Sequence, residues 1–131
     1  MICGCDRGAR AFAGIASSLK GTEVRVLCLH QDDAECCNAA MHVNDLKVIF
    51  HRTGEEPTSI TSKPALITNN PEDAMRDVDI VVFMLPASVH RVFLDTLKPY
   101  IKPGTIFVGL PGGPGFEFRS EEHTSELQSQ R

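Results

Sequence analysis

The run Asp79-Ile80-Val81-Val82-Phe83-Met84-Leu85 constrains the fold most, because after Asp79 every side chain in it is apolar. A strand with one wet face alternates in character, whereas a strand covered on both faces reads as a continuous apolar run. Helices on both sides of a parallel sheet supply such cover, so this run predicts a central strand of an α/β fold. Its neighbours agree. After Pro86, the segment from Ala87 to Tyr100 carries Val89, Val92, Phe93 and Leu97 at helical spacing. Pro103-Gly104 then turns the chain into a last strand, Thr105-Ile106-Phe107-Val108.

The upstream half repeats the alternation. Ile2-Cys3 ends a strand before Gly4, and Ala9, Phe12, Ala13, Ala16 and Leu19 mark a helix stopped by Lys20-Gly21. Val24 to Leu29 is a second strand, and Asp32 caps a helix running to about Val43. Lys47 to His51 and Thr58 to Thr61 flank Thr53-Gly54-Glu55-Glu56-Pro57 as a β-hairpin. Ala65 to Thr68 is a further strand, and Asn70-Pro71 opens a helical turn by cap and first-position proline. Strands and helices joined by short loops predict a Rossmann-type, doubly wound, mostly parallel sheet.

Composition bounds the rest. At 131 residues the chain has room for one domain, and 42% hydrophobic residues argue against disorder. No apolar run reaches the ~18 residues of a membrane helix. The start lacks a basic segment ahead of a long apolar one, so no secretory signal is visible and a cytoplasmic location is expected. Thirteen Lys and Arg against seventeen Asp and Glu give net −4, which offers no electrostatic case for nucleic acid or an anionic membrane. Five cysteines, an odd number without framework spacing, are read as reduced thiols. Cys3-x-Cys5 and Cys36-Cys37 lack zinc spacing, so no metal is expected.

The C-terminal stretch differs in kind. From Arg119 to Ser129 there is one aliphatic residue, Leu127, so the stretch has no face to bury. Those residues are also what a common short-read sequencing adapter encodes. The expected organisation is therefore residues 1–118 as the domain, the N-terminal fragment of a larger protein, with 119–131 an adapter-derived, disordered tail.

Four places carry the chemistry. Gly4-Cys5-Asp6-Arg7-Gly8-Ala9 follows the first strand and approximates the dinucleotide fingerprint G-x-G-x-x-G/A. Gly4 and Ala9 match its first and third positions, but Asp6 stands at the second, where backbone approaches the pyrophosphate. A carboxylate there would oppose phosphate, and an ordinary strand–helix turn remains the other reading. Asp32, about 25 residues on, is placed to meet the adenine ribose or else simply caps its helix. No arginine at that strand end favours a 2′-phosphate, so NAD is preferred over NADP. Pro86, Ala87 and His90 lie beyond the central strand, where open α/β sheets bind ligands, although a histidine so placed is more often a helix residue without a chemical role. Gly109-Leu110-Pro111-Gly112-Gly113-Pro114-Gly115 follows the last strand and suits either close ligand approach or a flexible connection.

In this order the pieces resemble the N-terminal domain of the opine dehydrogenases of the octopine type. The resemblance runs from Ile2 to Phe118. It is carried by Ile2-Cys3-Gly4, Gly8-Ala9, Ala13-Gly14, Val24 to Leu27, Asp32 with Ala34-Glu35, Ile67-Thr68, and Pro86-Ala87 with His90. Its most specific part is Gly109-Leu110-Pro111 with Gly115-Phe116-Glu117-Phe118. The resemblance implies NAD as cofactor and reductive condensation of an amino acid with a 2-keto acid such as pyruvate. It places Gly4, Gly8 and Ala9 at the pyrophosphate, Asp32 at the ribose, Pro86, Ala87 and His90 beside the cofactor, and Gly109 and Pro111 toward the nicotinamide. The family has glycines where this chain has Cys5-Asp6-Arg7, and a longer first strand. Its catalytic histidine lies in a second, helical domain, so the fragment alone is expected to be inactive. A glycerol-3-phosphate or ketopantoate reductase-like dehydrogenase, or a non-catalytic nucleotide-binding fragment, are the rival readings.

Overall fold

The computed structural model describes residues 1–30 and 45–110 of the chain. Within them a five-stranded parallel sheet has the order β5-β2-β1-β6-β7. Its strands are β1 (Ile2–Cys3), β2 (Arg25–Leu27), β5 (Leu66–Thr68), β6 (Ile80–Phe83) and β7 (Ile106–Gly109). Helices α1 (Arg7–Ser17), α2 (Pro71–Met75) and α3 (Ala87–Leu97) cross between strands, and a 3₁₀ turn, Lys98–Tyr100, extends the last. A separate antiparallel hairpin pairs β3 (Leu46–Phe50) with β4 (Thr58–Ser62). This is the Rossmann-type α/β fold that the sequence predicts. The helix expected from Asp32 to about Val43, Pro111 and the 119–131 tail lie outside the described residues.

Alternation along the strands builds two cores. Ile2, Val26 and Val82 face α1 and pack with Ala9, Ala13 and Cys28. Cys3, Leu27, Val81 and Phe83 face the other way, toward Ala74 and Met75 of α2 and Phe93, Leu94 and Leu97 of α3. The central run is thus buried on both faces from Val81 to Phe83, but Ile80 is 45% exposed at the strand's entrance. The buried face of α3 also departs from expectation. His90, 2% exposed, takes an inward position, while Val92 is 57% exposed. The 3.6-residue period places 90, 93, 94 and 97 on one side, and the polarity of His90 disguised that side in the sequence.

The hairpin rests on α1 rather than joining the sheet. A Cβ on Gly14 would lie 2.6 Å from Val48 Cγ2, so only glycine permits this approach. The Ser62 hydroxyl donates to the Gly14 carbonyl and fastens the contact. On the far side of the sheet, Arg25 donates to the Asp73 and Arg76 carbonyls at the end of α2. Asn70 accepts from the Glu72 N–H at 3.0 Å and caps the start of that helix, as Asn70-Pro71 predicts.

Candidate cofactor-binding edge

The chain leaves β1 toward β2 and β5 on one side, and returns to β6 and β7 on the other. The connections therefore diverge between β1 and β6, and in such sheets a crevice opens there at the carboxyl ends of the strands. The register makes this edge straight. Thr68, Leu27, Cys3, Phe83 and Gly109 form one row across all five strands. Beyond that row, Gly4 N–H donates to Leu27 O at 3.1 Å, Met84 N–H to Cys3 O at 3.0 Å, and Leu110 N–H to Phe83 O at 2.8 Å.

Gly4 sits at the divergence point with φ +118°, a conformation that disfavours side chains. A Cβ there would stand 2.7 Å from the Met84 carbonyl oxygen, so the turn closes against β6 only through glycine. Ala9, 1% exposed, packs α1 onto the sheet as the third fingerprint position requires. Gly8 is exposed at the start of α1. A Cβ at that position would meet its nearest atom, Asp6 Oδ1, at an ordinary 3.5 Å, so protein atoms alone do not require a glycine.

Asp6 behaves differently from the sequence expectation. It is the N-cap of α1, and its Oδ1 accepts the Ala9 N–H at 2.8 Å. The carboxylate is engaged by its own helix, and its charge complements the helix N-terminus instead of standing unpaired in the phosphate path. Read as a fingerprint position, Asp6 looks like an error. Read as a cap, it is the residue that starts the helix.

On the other side of the divergence, Pro86 and Ala87 are exposed at the start of α3. His90 is one helical turn further on and points inward. Its Nε2–H donates to the Leu85 carbonyl at 2.8 Å, and its ring meets Phe83 edge-on with centroids 5.6 Å apart. This histidine therefore clamps the turn from β6 into α3. Gly109 ends β7 in the same row as Phe83. Gly4, Gly8, Ala9, Pro86, Ala87 and Gly109 are thus gathered along one edge, with His90 beneath it. Asp32 and Pro111 lie outside the described residues.

The same edge holds a feature that sequence reasoning missed. Cys5 and Cys28 are joined by a disulfide with their Cα atoms 6.0 Å apart. The expectation of reduced thiols throughout is corrected here. Spacing rules compare cysteines along the chain, whereas these two lie 23 residues apart and meet because β1 and β2 are adjacent and in register. The usable signal was their placement, Cys5 just past the end of the first predicted strand and Cys28 near the end of the second. Cys3 remains a free, buried thiol, and burial pushes its pKa well above the ordinary thiol range.

Comparison with known proteins accords with this geometry. No family model matches the chain. Tauropine dehydrogenase of Arabella iricolor is 43% identical over 129 residues, covering 98% of this chain and 32% of that enzyme. Octopine dehydrogenase of Pecten maximus is 36% identical over 121 residues, covering 92% and 30% respectively. A structure of octopine dehydrogenase solved with NADH and L-arginine superposes with a TM-score of 0.88 at 36% identity, over 93% of this chain and 30% of that one. The chain spans about a third of the length of these relatives.

Proposed function

Because the chain belongs to the opine dehydrogenase family, as an N-terminal Rossmann-type domain, we propose that it binds NAD(H) along the carboxyl edge of its sheet. The observation that carries this reading is Gly4, whose positive φ, with Met84 O only 2.7 Å from where a Cβ would stand, shapes a turn that only glycine satisfies at the divergence point. Gly4, Gly8 and Ala9 hold the turn at the pyrophosphate, beside the start of α1, whose N-terminal partial charge is shared with the Asp6 carboxylate that caps it. Asp32 meets the adenine ribose. Pro86 and Ala87 border the cofactor, His90 holds their turn in place, and Gly109 and Pro111 lie toward the nicotinamide. Residues 1–118 make up this domain, and 119–131 are no part of it.

The bound cofactor supplies hydride. In the whole protein the activity is reductive condensation of an amino acid with a 2-keto acid such as pyruvate, in the cytoplasm. Octopine dehydrogenase has been solved with NADH and L-arginine and with NADH and pyruvate, which supports that substrate pair. No helix among the described residues is long and apolar enough to cross a membrane. The fragment contributes cofactor binding, while the acid–base group and the amino-acid contacts belong to the remainder of the enzyme.

Fluorescence titration of NADH into the 131-residue chain tests the reading. Saturable binding, with no NADH oxidation when pyruvate and arginine, alanine, glycine or taurine are added, is the expected result. A chain folded by circular dichroism that shows no saturable binding overturns the cofactor site. Turnover by the fragment overturns the division of labour between domains.

A further inference from the structure

The bridge between Cys5 and Cys28 stands at the carboxyl edge of the sheet, beside the proposed cofactor site. Cys5 is the residue between Gly4 and the helix cap Asp6, and Cys28 directly follows β2. The two therefore tie the pyrophosphate turn to the strand end that faces the adenosine. A Cα separation of 6.0 Å is within the ordinary range for a disulfide. The surrounding ladder is intact, with Gly4 N–H on Leu27 O at 3.1 Å and Cys28 N–H on Thr68 O at 3.0 Å. Strand pairing alone thus sets the cysteines at bridging distance.

Exposure gives the pair a direction. Cys5 is half-buried and Cys28 is 3% exposed. Cys3, two residues before Cys5, is turned to the opposite face of the sheet and fully buried. Disulfides in reducing compartments are typically transient and regulatory, and the cytoplasmic location proposed above puts this bond in that class.

We propose that Cys5 and Cys28 are a reversible thiol–disulfide site, oxidised by small disulfides of the glutathione type, whose closed form holds the β1–α1 turn in its cofactor-binding shape. The Cys5 thiolate, formed by loss of its proton to solvent, attacks one sulfur of the small disulfide and releases one thiol. The Cys28 thiolate then attacks the mixed disulfide at Cys5, forming the Cys5–Cys28 bond and releasing the second thiol. The two cysteines are oxidised by two electrons and one small disulfide is reduced to two thiols. The bond adds no bulk to the turn and only restrains it. The bond restrains a turn that Gly4 already seats against the Met84 carbonyl, so the restraint favours binding by preorganisation. This coupling rests on the cofactor reading above.

The test uses the full chain equilibrated in glutathione redox buffers, trapped by alkylation and mapped by peptide mass spectrometry. The expected product is one intramolecular Cys5–Cys28 link, reversed by excess thiol, with Cys3 alkylated only after denaturation. Links from Cys5 or Cys28 to other cysteines, or full alkylation of both across all buffers, overturn the site. NADH titration of the two forms should give affinity about fivefold tighter when oxidised, equivalent to about 1 kcal/mol. By reciprocity, saturating NADH should shift the oxidised-to-reduced ratio by the same factor of about five. Cys5→Ser, and Cys5→Ala as a second variant, should bind like reduced wild type in every buffer. Equal affinity in both redox forms overturns the coupling and leaves the cofactor reading standing. No binding by either folded form overturns the cofactor reading and the coupling together, and the peptide map alone then decides the bond.

Discussion

The two ends of the parallel sheet are built on different terms. At the carboxyl edge, Gly4 is wedged against Met84, Cys5 is bonded to Cys28, Asp6 caps α1, and His90 grips Leu85 O. At the amino edge, a groove of about 710 Å³ opens among Met1, Phe12, Arg25, Asp79, Ile80 and Val108. Ile80 and Ile106 are about half exposed there. Both ends belong to the same strands, so backbone pairing does not explain the contrast. Ties exist at both ends, since Arg25 holds the Asp73 and Arg76 carbonyls at the amino edge, but there they leave a groove open, whereas at the carboxyl edge they fix the turns themselves.

This contrast breaks if substitutions at the two edges cost the same. The largest effect is expected for Gly4→Ala, which forces a side chain into positive φ and against a backbone oxygen. A cost of about 4 kcal/mol, measured by urea unfolding, follows from the conformational penalty and overpacking together. His90→Leu keeps most of the volume but leaves the Leu85 carbonyl unpaired, for a loss of about 2 kcal/mol. Asp6→Ala removes the cap and should cost about 1 kcal/mol, whereas Asp6→Asn keeps a capping oxygen and should stay within about 0.3 kcal/mol of wild type. At the amino edge, Ile106→Thr is expected to change stability by less than about 0.5 kcal/mol. A cost above about 1 kcal/mol for Ile106→Thr would show that the open edge is as constrained as the tied one.

The Asp6 pair also sharpens the chemistry of the turn. Had the carboxylate faced the phosphates, Asp6→Asn would tighten NADH binding by removing a like charge. With Oδ1 on the Ala9 N–H, the two proteins should bind within about twofold of each other, which calorimetric titration would resolve. A tenfold gain for Asp6→Asn would restore the opposing-charge reading.

What was legible in the sequence followed from periodicity and punctuation. The run from Val81 to Phe83 announced a doubly covered strand, Asn70-Pro71 a helix start, and Thr53 to Pro57 a hairpin, because these signals are local. Gly4 and Ala9 were legible because their spacing reports a turn. Three things were not. The inward turn of His90 was hidden because a polar residue in an apolar helix face shows its hydrogen-bond partner only in three dimensions. The double life of Asp6 was hidden because a cap and a broken fingerprint look alike as letters. The Cys5–Cys28 bond was hidden because it depends on which strands become neighbours, a fact fixed by topology rather than by spacing.

The position of β1 in the middle of the sheet has a consequence in time. Ile2 pairs with Val26 on one side and with Val82 on the other. During synthesis at ~5–20 residues per second, the partner on the β2 side emerges within a few seconds. The β6 side waits roughly 3–11 seconds longer at that rate. Through that interval the apolar strand β1 has one unpaired edge. The sheet closes around β1 only when a segment some eighty residues downstream arrives, so this central strand is fully paired long after it is made.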